Sequence, residues 1–172
     1  MNQYVKITKK LCASDGGELL RYSLSYPEII GEQGGIKKIN DFYRTIREGC
    51  ESFCIGELSA FCEKKRAECG IYRPYSYRLG CAVSFEDENI VSVIMSASLK
   101  RQGDTCFVGE YTSAQVFSKS DGMLIPPSLI LKKYAPEIKS PKKYIRKNKL
   151  KGICLTEQGV TCLREGVWVS VI

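Results

Sequence analysis

The chain contains no histidine in its 172 residues, although it has nine cysteines. That absence excludes a Ser-His-Asp triad, a Cys-His dyad, a histidine-ligated metal and any imidazole acid-base catalyst. The closely spaced C-x-x-C pairs that structural zinc sites favour are also missing. Gly16-Gly17 and Gly34-Gly35 lack the further glycines and the lysine of a phosphate-binding loop, and no Gly-x-Ser-x-Gly elbow occurs. No window approaches the ~18 uninterrupted apolar residues of a transmembrane helix. The start, Met1-Asn2-Gln3-Tyr4-Val5-Lys6-Ile7, carries no long apolar region of a signal peptide. These absences lead us to expect a non-enzymatic chain without a cofactor or a metal, located as encoded in the cytoplasm.

What is present is the composition of an ordinary folded protein, with 44% hydrophobic and 26% charged residues. A chain of this length buries roughly two thirds of the surface it exposes when unfolded, so no covalent staple is required. The cysteines are odd in number and irregularly spaced, at 12, 50, 54, 62, 69, 81, 106, 154 and 162, which does not suit a disulfide framework. Cys50, Cys54 and Cys62 admit a thiolate cluster for zinc, but buried small hydrophobes account for them more simply. A redox thiol needs an electropositive, partly exposed setting, and nothing local singles out one cysteine for it.

Tyr4 to Lys9 and Glu18 to Tyr26 read as a strand pair around the turn Ser14-Asp15-Gly16-Gly17. In the second, Leu20, Tyr22, Leu24 and Tyr26 alternate with Arg21, Ser23 and Ser25, one buried and one solvated face. From Ile36 an apolar stripe runs through Ile39, Tyr43, Ile46, Cys50, Phe53, Cys54, Leu58, Phe61 and Cys62 at a period near 3.6. It predicts a long amphipathic helix over about 36–69, with a bend at Gly49 or Gly56 and Gly70 as its C-cap. Strands follow over Tyr75 to Glu86, Asn89 to Lys100 and Phe107 to Phe117. A short helix is expected over Ser128 to Tyr134, with Ser128 as N-cap or Pro127 just before it, and closing strands over Leu150 to Thr156 and Val160 to Ile172. The expected fold is α+β: a mainly antiparallel sheet with the long helix packed on it and a smaller second α/β half. Residues 1–86 and 87–172 would form the two halves, packed together or as one compact unit.

Several short motifs recur in a recognisable order: Tyr26-Pro27-Glu28-Ile29, Ile39-Asn40, Asn89-Ile90-Val91-Ser92, Phe117-x-x-x-Asp121-Gly122 with Leu124, and Leu155-Thr156-x-x-Gly159-Val160. The series resembles the extracytoplasmic domain pair shared by lysozyme-sensing anti-sigma factors and the non-catalytic region of peptidoglycan deacetylases of Gram-positive bacteria. It spans about Tyr4 to Ile172. The resemblance implies the α+β fold and a cell-envelope-sensing type of module. The family commonly carries Gly-Gly-Ala-His near the start of its second half, where this chain has Gln102-Gly103-Asp104-Thr105.

Two segments stand out as binding candidates. Tyr72, Tyr75 and Tyr77 with Arg73 and Arg78 suit a protein or glycan, because aromatic faces and planar donors serve both, although a strand entering a sheet has the same composition. Of these, Tyr72, Arg73, Tyr75 and Tyr77 form the expected partner-binding set together with Gln102, Gly103, Asp104 and Thr105. The second candidate is Lys132, Lys133, Lys139, Lys142, Lys143, Arg146, Lys147, Lys149 and Lys151, opposed only by Glu137, a segment of +8 in a chain of net +7. With Tyr134 and Tyr144 interleaved, it could meet nucleic acid or an anionic surface, or serve only as a solvated connection. The acidic run Glu86-Asp87-Glu88 reads as a hairpin turn. The expected function is a binding or regulatory module for a protein or glycan, with polyanion binding as the alternative.

Overall fold

The turn at Ser14–Gly17 forms as expected, with Gly16 in the left-handed region at φ 84° and the Asp15 carboxylate accepting the Gly17 amide at 2.9 Å. It closes an antiparallel pair of β1 (Gln3–Cys12) and β2 (Glu18–Glu28). The computed structural model to which these strands belong describes residues 2–171.

A single helical run follows, made of α1 (Ile36–Phe53), a π-helical turn (Cys54–Leu58) and α2 (Ser59–Glu68). Its buried side chains explain the wider turn. Ile36, Ile39 and Tyr43 keep the ordinary helical period, but Cys54, Leu58 and Cys62 are each four residues apart. A strict spacing of four drifts off a 3.6-residue face, and one widened turn brings the stripe back over the sheet. Phe53 and Phe61, expected in the stripe, lie at its margin. Gly70 is not a left-handed cap: the helix stops at Glu68 and Cys69 is already extended, at φ −109° and ψ 132°.

The helix is a crossover. It returns the chain so that β3 (Tyr75–Glu86) pairs parallel with β2, which is the one departure from an antiparallel sheet. β4 (Ile90–Arg101) and β5 (Gly109–Ser118) then add antiparallel neighbours, giving a five-stranded sheet in the order β1-β2-β3-β4-β5. The boundary at 86/87 falls in the β3–β4 turn of this sheet. α3 (Pro127–Tyr134) starts from Pro126 as N-cap rather than from Ser128, and α4 (Pro141–Lys147) begins at the second proline. β6 (Gly152–Thr156), β7 (Gly159–Arg164) and β8 (Val167–Ser170) form a separate three-stranded sheet. The closing segment from Val160 is thus two strands, split at Glu165-Gly166, where both residues have positive φ; Ile172 lies outside the described residues. The architecture is mixed α+β with a mainly antiparallel sheet and one long joined helix. Among the described residues no helix is long and apolar enough to cross a membrane.

The two faces of the large sheet have different fates. Leu20, Tyr22, Leu24, Leu79, Val91, Val93 and Phe117 meet the helix in the main core. On the opposite face, Ile90 and Val116 join a second core with Ile130, Leu131, Ile153 and Leu155, contributed by α3 and β6. This second core covers only one end of that face.

Candidate functional site

At the uncovered end, strand alternation points small polar side chains outward, and register aligns them into rows across the sheet. The first row is Lys10, Arg21, Ser76 and Lys100. Next come Thr8, Ser23, Arg78, Ser98 and Glu110, then Lys6, Ser25, Gly80, Ser96 and Thr112. Because the floor is serine and glycine, the rows leave a shallow trough. One part, of about 610 Å³, runs over Lys6, Thr8, Ser23, Ser25, Gly80 and Ser96, and it shares Arg21, Ser76, Arg78 and Ser98 with a second part of about 540 Å³. The second part ends at Gln102, Gly103, Asp104 and Phe107.

The trough is electropositive. Glu18 at its margin is held by Lys10 at 3.0 Å and by Arg21 at 3.4 Å. The Lys10 ammonium, with Arg21 behind it, keeps the Glu18 carboxyl below its usual range. Asp104 is taken by Arg101 at 2.9 Å. Lys100 lies 5.4 Å from the centre of the Phe107 ring. Among the described residues Lys6 and Arg78 form no ion pair with any carboxylate. Such cations, beside hydroxyls that both donate and accept, suit an anionic, hydrogen-bonding ligand.

The expected partner-binding residues separate. The three tyrosines pack toward the helix side of the sheet, Tyr75 buried and Tyr72 and Tyr77 half-buried against the main core. Tyr75 is 7% exposed and meets Phe61 edge-on with ring centres 5.6 Å apart. Tyr77 meets Phe53 at 6.1 Å and donates to the Cys50 sulfur at 3.6 Å. Tyr72 donates to the Leu19 carbonyl at 2.7 Å. Packing explains this cluster, and burial raises the Tyr72 and Tyr77 hydroxyl pKa values. Arg73 stays exposed beside Gly103. Gln102, Gly103 and Asp104 do line the trough, tied down by the Gln102 amide donating to the Pro74 carbonyl at 2.8 Å, whereas Thr105 turns to the Cys106 sulfur.

Lys132, Lys133, Lys139, Lys142, Lys143, Arg146, Lys147, Lys149 and Lys151 are all exposed on α3, α4 and their connections. They do not line the trough. Among the described residues no group of three His, Cys, Asp or Glu side chains converges as metal ligands. Cys54, Cys62, Cys81, Cys154 and Cys162 are buried, and desolvation first of all pushes their thiols up, to about 12 for Cys54 and Cys81. Buried protonated thiols are inert.

Sequence reasoning missed Lys6, Thr8, Ser76, Ser96, Ser98 and Lys100 as site residues. A signal exists in serines at period two, Ser23 with Ser25 and Ser96 with Ser98, but only strand register shows that they adjoin.

Two solved structures of DUF3298 family proteins align with this chain. One, from Bacteroides fragilis, aligns with a TM-score of 0.50 and 10% identity over 94% of this chain and 82% of its own. The other, from Pseudomonas aeruginosa PAO1, aligns with a TM-score of 0.47 and 10% identity over 94% of this chain and 81% of its own. No family model and no curated protein matches the sequence. At 10% identity, the likeness to the Bacteroides fragilis protein is one of fold alone.

Proposed function

We propose that this chain is a non-enzymatic binding or regulatory module of the bacterial cell-envelope-sensing type, and that it receives a protein or glycan partner on the open end of its five-stranded sheet. The observation that carries the reading is the trough itself, a sheet face left uncovered and lined by hydroxyls and by Lys6 and Arg78, which form no ion pair among the described residues. A binding role suits these hydroxyls better than catalysis, because Glu110, the one carboxylate in their rows, is exposed on the edge strand β5 and lines neither part of the trough. The carboxylates lining the margin, Glu18 and Asp104, are engaged by Lys10, Arg21 and Arg101. Affinity here comes from complementarity and charge, with Arg78 as the central planar donor.

The test is capture of the partner from an extract of cells that make this chain, comparing the native protein with an Arg21→Gln, Arg78→Gln variant. Loss of one retained component with that variant, and its retention by Lys142→Gln, Lys143→Gln, supports the reading. Retention by the trough variant contradicts it.

A second reading places polyanion binding on the basic segment, favoured by nine exposed cations that form no ion pair among the described residues. Phosphate contacts release counterions, so binding there falls steeply with salt. Loss of nucleic acid from the Lys142→Gln, Lys143→Gln variant, in proportion to salt, is its signature.

A further inference from the structure

We infer that the trough takes an acidic glycan, a polyhydroxylated polymer bearing carboxylate or phosphate groups; this deepens the binding-module reading above and rests on it. Three features select that chemistry. Charge is the first: Lys6, Arg21, Arg78 and Lys100 face the trough, and among the described residues Arg78 and Lys6 form no ion pair with a carboxylate. A guanidinium on an open face binds a carboxylate or phosphate through two parallel hydrogen bonds, so Arg78 fixes orientation as well as sign.

The floor is the second feature. Ser23, Ser25, Ser76, Ser96 and Ser98 each present a rotatable hydroxyl, and Gly80 at the centre presents none. Hydroxyls that donate and accept in turn match the dense hydroxyl array of a sugar chain. A globular protein interface needs buried aromatic or aliphatic anchors, and this floor has none. The exposed ring at the rim, Phe107, is 48% exposed with the Lys100 ammonium beside it. It can serve as a platform for one sugar face at the end of the run.

The third feature is the backbone. β2, β3 and β4 are interior strands whose amides and carbonyls are committed to ladders on both sides where they form the floor. An extended peptide laid on this face gains no strand pairing, and most of its own amides remain without partners. A polymer that carries its hydrogen-bonding groups in side positions does not incur that cost.

The experiment uses the full chain and four labelled probes of matched length: polygalacturonate, a glycerol-phosphate polymer, dextran and poly-glutamate, titrated by fluorescence anisotropy at about 150 mM salt. The expected result is binding of polygalacturonate or the glycerol-phosphate polymer, with dextran and poly-glutamate clearly weaker. The first two arms distinguish carboxylate from phosphate as the recognised group. Arg78→Gln should weaken the acidic glycan about tenfold, the equivalent of one charge-assisted hydrogen bond. Arg78→Lys should recover part of that loss, and Lys142→Gln, Lys143→Gln should leave affinity unchanged. Arg78 is exposed, so the variant's thermal midpoint should match that of the native chain. Failure of both acidic glycans, equal binding of poly-glutamate, or affinity indifferent to Arg78→Gln overturns the inference. If both glycans fail while the trough variant still loses its captured component, only the glycan assignment falls; if capture is also unaffected, the binding-module reading falls with it.

Discussion

The Ser92 hydroxyl on β4 accepts the amide of Leu155 on β6 at 3.0 Å, from a side chain with no exposed surface. This bond lies where the small sheet crosses the outer face of the large one. The same oxygen is 3.0 Å from the Ser84 hydroxyl, which donates to it. Beyond this point the face is uncovered, and its serines point to solvent as the trough. One face thus docks the chain's own C-terminal sheet at one end and leaves equivalent chemistry free at the other.

Ser92→Ala should cost about 1–3 kcal/mol, because it strands the Leu155 amide in the second core without a partner. Urea denaturation measures the loss. Hydrogen exchange should show faster exchange in β6 than in β2, as the joint that fails is local. Unchanged protection of β6 contradicts the assigned role.

Gly35 and Gly122 provide a second joint, where the start of α1 meets the turn after β5. A Cβ on Gly35 would overlap the Gly122 amide nitrogen and stand 2.5 Å from the Lys119 carbonyl oxygen, which already accepts the Gly35 amide. Gly35→Ala should therefore destabilise by about 1–3 kcal/mol. Gly49, mid-helix with nothing within 4 Å of a Cβ, is the internal control. Gly49→Ala should stabilise by about 1 kcal/mol. Equal effects of the two substitutions would remove the close approach as an explanation.

The buried thiols predict a pH dependence. Desolvation raises Cys54 and Cys81 from 9.0 to about 12, and Cys154 and Cys162 to about 11. Above pH 9 the unfolded chain releases these protons and the folded chain keeps them, so this contribution to stability is full below pH 9 and is lost progressively toward pH 12. Stability followed by urea denaturation should fall across that window, less steeply in Cys54→Ala. At mildly alkaline pH a thiol reagent should label Cys12, Cys69 and Cys106 in the native chain, and leave these four unmodified until it unfolds. Native-state labelling of Cys54 would contradict the burial argument.

The alternation in β2 was enough to assign Leu20, Tyr22 and Leu24 to the core and Arg21, Ser23 and Ser25 to the other face, because strand period is local. The helix was legible for the same reason. The tyrosines were not, since Tyr75 and Tyr77 have the same composition whether they face a ligand or Phe61 and Phe53. The trough was hidden because it depends on pairing. Only the parallel register of β2 with β3 brings Ser23 beside Arg78, and only β4 adds Ser98. The motifs behind the family resemblance turn out to be joints. Asn40 bonds both the amide and the carbonyl of Ile29, Phe117 packs edge-on against Phe42 and Tyr43, Gly122 abuts Gly35, and Ser92 holds Leu155. Such residues carry information about fold rather than about a ligand.

The most direct test of the central claim is an amide chemical-shift titration of the labelled chain with polygalacturonate oligomers. The account predicts saturable shifts at Ser23, Arg78 and Ser98 and along the Gln102–Asp104 loop, with Lys142 to Lys147 unmoved. Shifts confined to Lys132–Lys151, with β2, β3 and β4 silent, would contradict it.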